Sequence, residues 1–241
     1  MPKERIDKLI ANTTTLSRKE VKAILRQKRV TVNGAIITDG GFQTDFEQDM
    51  VTVDGAPFCV KPHIYLMLNK PQGIVSASRS QNERTVVDLV PPHLQRNGLF
   101  PAGRLDKDTT GFVLITDDGD FAHRILSPKN HIQKTYLATL VSPLSAAEAE
   151  VLKQGVVLRD GTQLLPALVQ VIGADKKTVQ IQICEGKYHQ IKRMLAAVGN
   201  RVTALHRTHM GALPLDAALS PGECREITAE ELVKISKTVC E

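Results

Sequence analysis

The sequence contains no tryptophan and only three tyrosines, and aromatic residues make up 4% of it. Any aromatic stacking must fall to very few rings. Its four cysteines, Cys59, Cys184, Cys224 and Cys240, form no Cys-x-x-Cys pair, which removes the usual zinc and redox spacings. They are expected to be reduced thiols. No apolar run approaches the roughly 20 residues of a membrane span, so no membrane association is expected. The start, Met1-Pro2-Lys3-Glu4-Arg5-Ile6-Asp7, is charged where a signal peptide would be apolar, and a cytoplasmic protein is expected.

What is present suits a soluble globular chain. The 241 residues are 42% hydrophobic and 24% charged, enough for a small domain followed by a larger one. The net charge of +5 is unevenly spread. Residues 1–34 hold nine Lys or Arg against three acids, whereas residues 35–60 hold five acids and no base. A basic segment of this kind is the electrostatic footprint of a nucleic-acid partner.

That segment has clear local signals. Ser17 and Glu20 form a capping box, after which Val21, Ile24 and Leu25 recur at helical spacing. Arg18, Lys22, Arg26 and Arg29 line a neighbouring face. Like charges so placed repel by a few tenths of a kcal/mol per pair, unless phosphates face them. Ile6, Leu9 and Ile10 mark an earlier helix, and Val30-Thr31-Val32-Asn33-Gly34 a strand entering a tight hairpin. Met50 to Gly55 repeats the strand-then-turn pattern. Residues 1–58 are thus read as a small αβ RNA-binding module and 59–63 as a linker. The module resembles the RNA-binding domain named after ribosomal small-subunit protein four.

Residues 64–241 alternate strands with short helices. Ile64 to Leu68, Gly111 to Thr116, Tyr136 to Leu140, Ala167 to Ile172 and Val179 to Ile183 read as strands. Ser145-x-x-Glu148 and Thr228-x-x-Glu231 are further capping boxes, and His189 to Val198 has an apolar helical face. The helices are too few for regular βαβ winding, so the fold class is α+β with a mixed, mainly antiparallel sheet.

Three segments could carry chemistry. Ala102-Gly103-Arg104-Leu105-Asp106-Lys107-Asp108-Thr109-Thr110-Gly111 gathers charges and hydroxyls on a loop. Its Asp106, Asp108 and Asp117 imitate a calcium-binding loop, but Pro101 and Gly103 break the helix such a loop needs, and Lys107 puts a cation in the cage. Cys184 to Met194 ends a strand and opens a helix beside Lys187, Lys192 and Arg193, as an anion site or a solvated turn would. Lys134-Thr135-Tyr136 opens a strand; a lone tyrosine there is more often core than catalytic. His206 and His209 have no carboxylate at ligand spacing, so no metal is expected.

Together with Asn69-Lys70-Pro71-Gln72-Gly73, Leu114 to Gly119, His123-Arg124, Ser127-Pro128 and Leu205-His206-Arg207, these segments resemble the RsuA-type family of ribosomal RNA pseudouridine synthases, over essentially the whole chain. The resemblance implies a pseudouridine synthase domain over residues 64–241 with Asp106 as the essential carboxylate, attacking uracil C6 or ribose C1′. A nucleophilic carboxylate must be ionised, which a nearby cation favours. Lys192 stands where the superfamily places a basic partner, often arginine, with Arg193 beside it as an RNA contact. Tyr136 would stack on the flipped uracil and help move the C5 proton. Arg104 would hold the flipped state, and Ile183 and Leu205 would form apolar walls. Arg18, Lys22 and Arg26 would bind RNA from the first module. No cofactor and no metal are implied.

The expected partner is ribosomal RNA, within a ribosomal subunit assembly intermediate, and the expected state is a monomer. Two other readings remain: a large-subunit rRNA synthase, and a non-catalytic RNA-binding or assembly factor. Large-subunit relatives often carry long basic C-terminal tails. This chain ends soon after Thr228 to Leu232, which favours the 16S rRNA enzyme; a non-catalytic factor would lack the nucleophile.

Overall fold

A computed structural model describes residues 3–45, 48–58, 61–130 and 132–236. Cys59 and Val60 of the expected linker, and Cys240, lie outside the described residues. The chain divides into two compact units, Met1–Ile64 with Pro91–Leu99, and Tyr65–Val90 with Phe100–Glu241.

In the first unit, β1 (Glu4–Arg5) leads into α1 (Ile6–Thr13) and α2 (Arg18–Arg26). The Ser17 hydroxyl caps α2 by accepting from the Glu20 amide, and the Glu20 carboxylate accepts from the Ser17 amide at 2.7 Å. Strands β2 (Val30–Val32), β3 (Ala35–Ile36), β4 (Gln43–Thr44), β5 (Val51–Val53) and β6 (Ala56–Pro57) follow. Four of them make a sheet in the order β3-β2-β5-β6, and β4 pairs with β1. Both hairpins of that sheet turn on the pairs the sequence offered. Asn33 and Gly34 have φ of 51° and 82°, and Asp54 and Gly55 have 54° and 77°, the left-handed pairs that tight hairpins require. Ile6, Ile10, Val21, Leu25, Val30 and Val32 form its core. Arg18, Lys22 and Arg26 stay exposed on α2. Arg29 lies past the end of α2 and pairs with Asp54 at 2.6 Å, so it does not extend that basic face.

The second unit is built on one sheet. Its elements are β7 (Tyr65–Lys70), β8 (Phe100–Pro101), β9 (Thr110–Thr116), α3 (Gly119–Leu126), β10 (Lys134–Leu140), α4 (Ala146–Gln154), β11 (Val156–Val157), β12 (Gln163–Leu164), β13 (Leu168–Val171), β14 (Thr178–Ile183), α5 (Gln190–Ala197), β15 (Val202–Met210), β16 (Leu213–Pro214), β17 (Cys224–Glu226) and α6 (Ala229–Ser236). Among the described residues the sheet has nine strands, seven in the order β13-β14-β10-β15-β9-β7-β17, with β16 on β15 and β8 on β9. Only the β15–β9 pair is parallel, so the sheet is mixed and mainly antiparallel, as expected.

In β14 burial alternates, with Val179, Ile181 and Ile183 inward, because successive strand residues face opposite sides. Helices α3 and α6 bury Phe121, Ile125 and Ile235 with Met67, Phe112 and Leu114. Gly111 permits the one parallel pairing: a Cβ there would lie 2.3 Å from the Arg207 carbonyl oxygen. Cys224 is a free thiol. Cys184 is disulfide-bonded, against the expectation of four reduced cysteines; linear spacing does not show which thiols folding brings together.

Candidate active site

The charged loop lies between β8 and β9 and is pinned from several sides. The Ser76 hydroxyl donates to the Leu105 carbonyl at 3.0 Å and accepts from the Leu105 amide at 3.1 Å. The Lys70 ammonium, at the end of β7, is fully buried. It donates to the carbonyls of Thr109 (2.8 Å), Pro71 (3.1 Å) and Lys107 (3.2 Å). Three acceptors match its three N–H donors. Burial nonetheless pushes its pKa down to about 8, against the attraction of Asp108 and Asp106. Asp106 is thereby held between two anchored residues.

The partner comes from the opposite segment. Lys192, on the first turn of α5, donates to Asp106 Oδ2 at 2.9 Å and to Asp108 Oδ1 at 2.7 Å. Burial works against the Lys192 charge, but the hydrogen bonds to Asp108 and Asp106 outweigh it and raise its pKa. The same bond from Lys192 holds the Asp108 carboxyl below its usual range. This geometry removes the calcium-loop reading: an ammonium sits between the two carboxylates, and the residues after them form strand β9, not a helix. His189 approaches from the other side, its Nε2 3.4 Å from Asp106 Oδ1.

Tyr136, Ile183 and Leu205 come from three adjacent strands, β10, β14 and β15. Arg104, Asp106, Tyr136, Ile183, Lys192 and Leu205 line one cleft. Six residues named from the sequence thus meet in one place. Arg193 does not join them. Its guanidinium pairs with Asp160 and donates to the Tyr188 carbonyl at 3.4 Å, beside a separate groove with Leu158 and Ala196. Consecutive helical residues point about 100° apart, so Lys192 and Arg193 cannot share a target.

Sequence reasoning gave no part to four residues here. His189 and Thr109 line the cleft. Arg207 is buried behind Tyr136, its guanidinium carbon 6.0 Å from the ring centre, and donates to the Phe112 carbonyl at 2.7 Å. Lys70 had a signal: a lysine closing a strand whose middle, Leu66 to Leu68, is apolar. The two histidines weighed as metal ligands are satisfied, His206 by Thr110 and His209 by Thr208, each at 2.9 Å. Burial lowers the pKa of both.

The arrangement suits covalent chemistry on an electrophilic carbon. A partly exposed carboxylate is oriented by an ammonium, beside a buried phenol ring and apolar walls. Residues 64–197 match the family model for RNA pseudouridylate synthases, and residues 4–51 match the S4 domain. The chain is 47% identical over 230 residues to the uncharacterized RNA pseudouridine synthase YtzG of Bacillus subtilis, covering 95% of this chain and 96% of that protein. It is 44% identical over 234 residues to ribosomal small subunit pseudouridine synthase A of Escherichia coli strain K12, covering 96% and 99%. A crystal structure of a pseudouridylate synthase superposes with a TM-score of 0.66 at 39% identity, over 96% of this chain and 99% of that one.

Proposed function

The chain belongs to the RNA pseudouridylate synthase family, in its RsuA-type branch with an S4 domain in front, and we propose that it isomerises one uridine of 16S ribosomal RNA with Asp106 as nucleophile. The observation that carries this reading is the Asp106–Lys192 contact of 2.9 Å in a cleft walled by Tyr136, Ile183 and Leu205.

Asp106 attacks uracil C6 or ribose C1′ and forms a covalent bond. The glycosidic N1–C1′ bond breaks, the uracil turns between the apolar walls, C5 joins C1′, and the bond to Asp106 breaks to free the carboxylate. Loss of the C5 proton restores the aromatic ring, and N1 regains a proton. Atoms and electrons balance within the uridine, so the chemistry calls for no co-reactant. Lys192 aims the carboxylate through its 2.9 Å hydrogen bond. Tyr136 stacks on the displaced base, and its hydroxyl helps move the C5 proton. Arg104, exposed at the rim, contacts the RNA backbone and supports the flipped state. Arg18, Lys22 and Arg26 on α2 bind RNA phosphates. Arg193 supports the surface beside the cleft through Asp160.

The choice of 16S rRNA rests on the match along nearly all of both chains to small-subunit synthases. Carbodiimide mapping of pseudouridines in rRNA from cells lacking the protein tests it. One 16S position should lose its pseudouridine, with the wild-type chain restoring it and Asp106→Asn failing to do so. A loss in 23S rRNA would reassign the substrate. Restoration by Asp106→Asn would end the nucleophile role.

A further inference from the structure

We propose that Tyr188, backed by His189, is a stacking platform for the nucleobase next to the target uridine. This inference rests on the reading that the uridine enters the Asp106 cleft.

Tyr188 is 75% exposed, the most exposed large hydrophobic side chain among the described residues. One face of its ring is covered by the His189 imidazole, with ring centres 3.8 Å apart and planes 18° from parallel. The remaining ring surface is open. The backbone is unusual where the two rings stack: His189 has φ of 49°, in the left-handed region. A non-glycine residue held there costs on the order of 1 kcal/mol, and such strain concentrates at functional sites. The conformation does two things together. It lays the imidazole against Tyr188, and it brings His189 Nε2 to 3.4 Å from Asp106. The open ring therefore stands one residue from the cleft. Arg193 holds the Tyr188 peptide from the next turn.

The other two tyrosines are committed elsewhere. Tyr65 donates to Asp118 at 2.6 Å and packs edge-on against Phe121, and Tyr136 is buried in the cleft wall. Lys187 and Lys192 nearby are each paired with acids, Glu185 for the first and Asp106 with Asp108 for the second, so what this surface offers a ligand is the ring face. A flipped nucleotide leaves its neighbour unstacked on one side. An aromatic face at the mouth restores that stack without reading sequence.

The test uses the full-length protein and a short RNA spanning the target, with 2-aminopurine on its 5′ or 3′ flank. Wild type and Tyr188→Phe should quench the fluorophore at one flank. Tyr188→Leu, similar in bulk but without a π face, should lose the quench and bind RNA about tenfold more weakly. Equal behaviour of the Leu and Phe variants, or no quench at either flank, overturns the platform. Tritium release from 5-tritiated uridine, read in the same samples, separates the two readings. Wild type that releases none overturns the uridine-cleft reading itself, whereas release without quenching overturns the platform alone.

Discussion

Asp106 and Lys192 are separated by 86 positions in the chain and meet at 2.9 Å. The ammonium also holds Asp108 at 2.7 Å, so one cation serves two carboxylates. Replacing it should leave two anions facing each other. Lys192→Ala is expected to lower turnover by about a hundredfold with RNA affinity changed only a few-fold. Asp108 loses the partner that depresses its pKa, so its carboxyl should titrate at higher pH in the variant. Single-turnover rates check the first expectation and an NMR titration of the Asp108 carboxyl the second; an unmoved titration would remove the electrostatic role.

Lys70 predicts a different signature. Lys70→Met keeps the length of the side chain but strands the carbonyls of Pro71, Lys107 and Thr109. Each unsatisfied buried group costs about 1–3 kcal/mol. Turnover should fall tenfold or more, because the Asp106 loop loosens, while RNA binding persists. Wild-type stability should also rise between pH 8 and 10. The folded state gives up the Lys70 proton near 8, before the unfolded chain does at 10.5, so alkaline pH relieves the cost of burial. Denaturant titrations of both proteins at pH 7 and 10 measure this.

Gly111→Ala should destabilise the second unit by about 3 kcal/mol or more. Its φ is 99°, and the new methyl would meet backbone atoms of Arg207 that cannot swing away. A Cβ in that position has to push β9 from β15. Thermal unfolding measures the loss, and a shift in Tm within error would contradict the close approach.

Reversing Arg18, Lys22 and Arg26 to glutamate should weaken RNA binding at low salt and flatten its salt dependence. Phosphate contacts release counterions, and losing three contacts lowers the log–log slope by roughly three. The first unit should remain folded, since all three side chains are exposed. An unchanged slope would make this helix face mere surface.

At the chain's other end, Arg225 binds Glu231 through two hydrogen bonds of 2.7 and 2.8 Å and Asp216 at 2.6 Å. The Arg225 bonds hold the Glu231 carboxyl down at about 2, from 4.5. A depressed carboxyl stabilises the fold above its unfolded value, and that stability drains as pH falls from about 4.5 towards 2. Glu231→Gln should cost about 1–2 kcal/mol at pH 7, allowing for solvent screening. The cost should vanish near pH 2, which paired melts would detect.

Much of the local structure was legible because its causes are local. Ser17 with Glu20, Ser145 with Glu148 and Thr228 with Glu231 each cap a helix by bonds spanning three residues. Asn33-Gly34 and Asp54-Gly55 turn hairpins through their own φ preferences. The cluster of Asp106, Tyr136 and Lys192 was named by resemblance; no single segment contains the geometry that joins them. Lys192 and Arg193 look alike in sequence, yet the helix sends one to Asp106 and the other to Asp160.

By itself, the sequence determined the basic first module, the period-two strands, the capped helices and the family to which the chain belongs. Each follows from short-range chemistry or from an ordered set of motifs. Only the tertiary structure decided that one ammonium bridges Asp106 and Asp108, that Lys70 is buried under their loop, and that His189 bends left-handed beside the cleft. Those features depend on contacts between residues tens of positions apart. The sheet order β14-β10-β15-β9-β7 brings them together, and no linear spacing encodes that order.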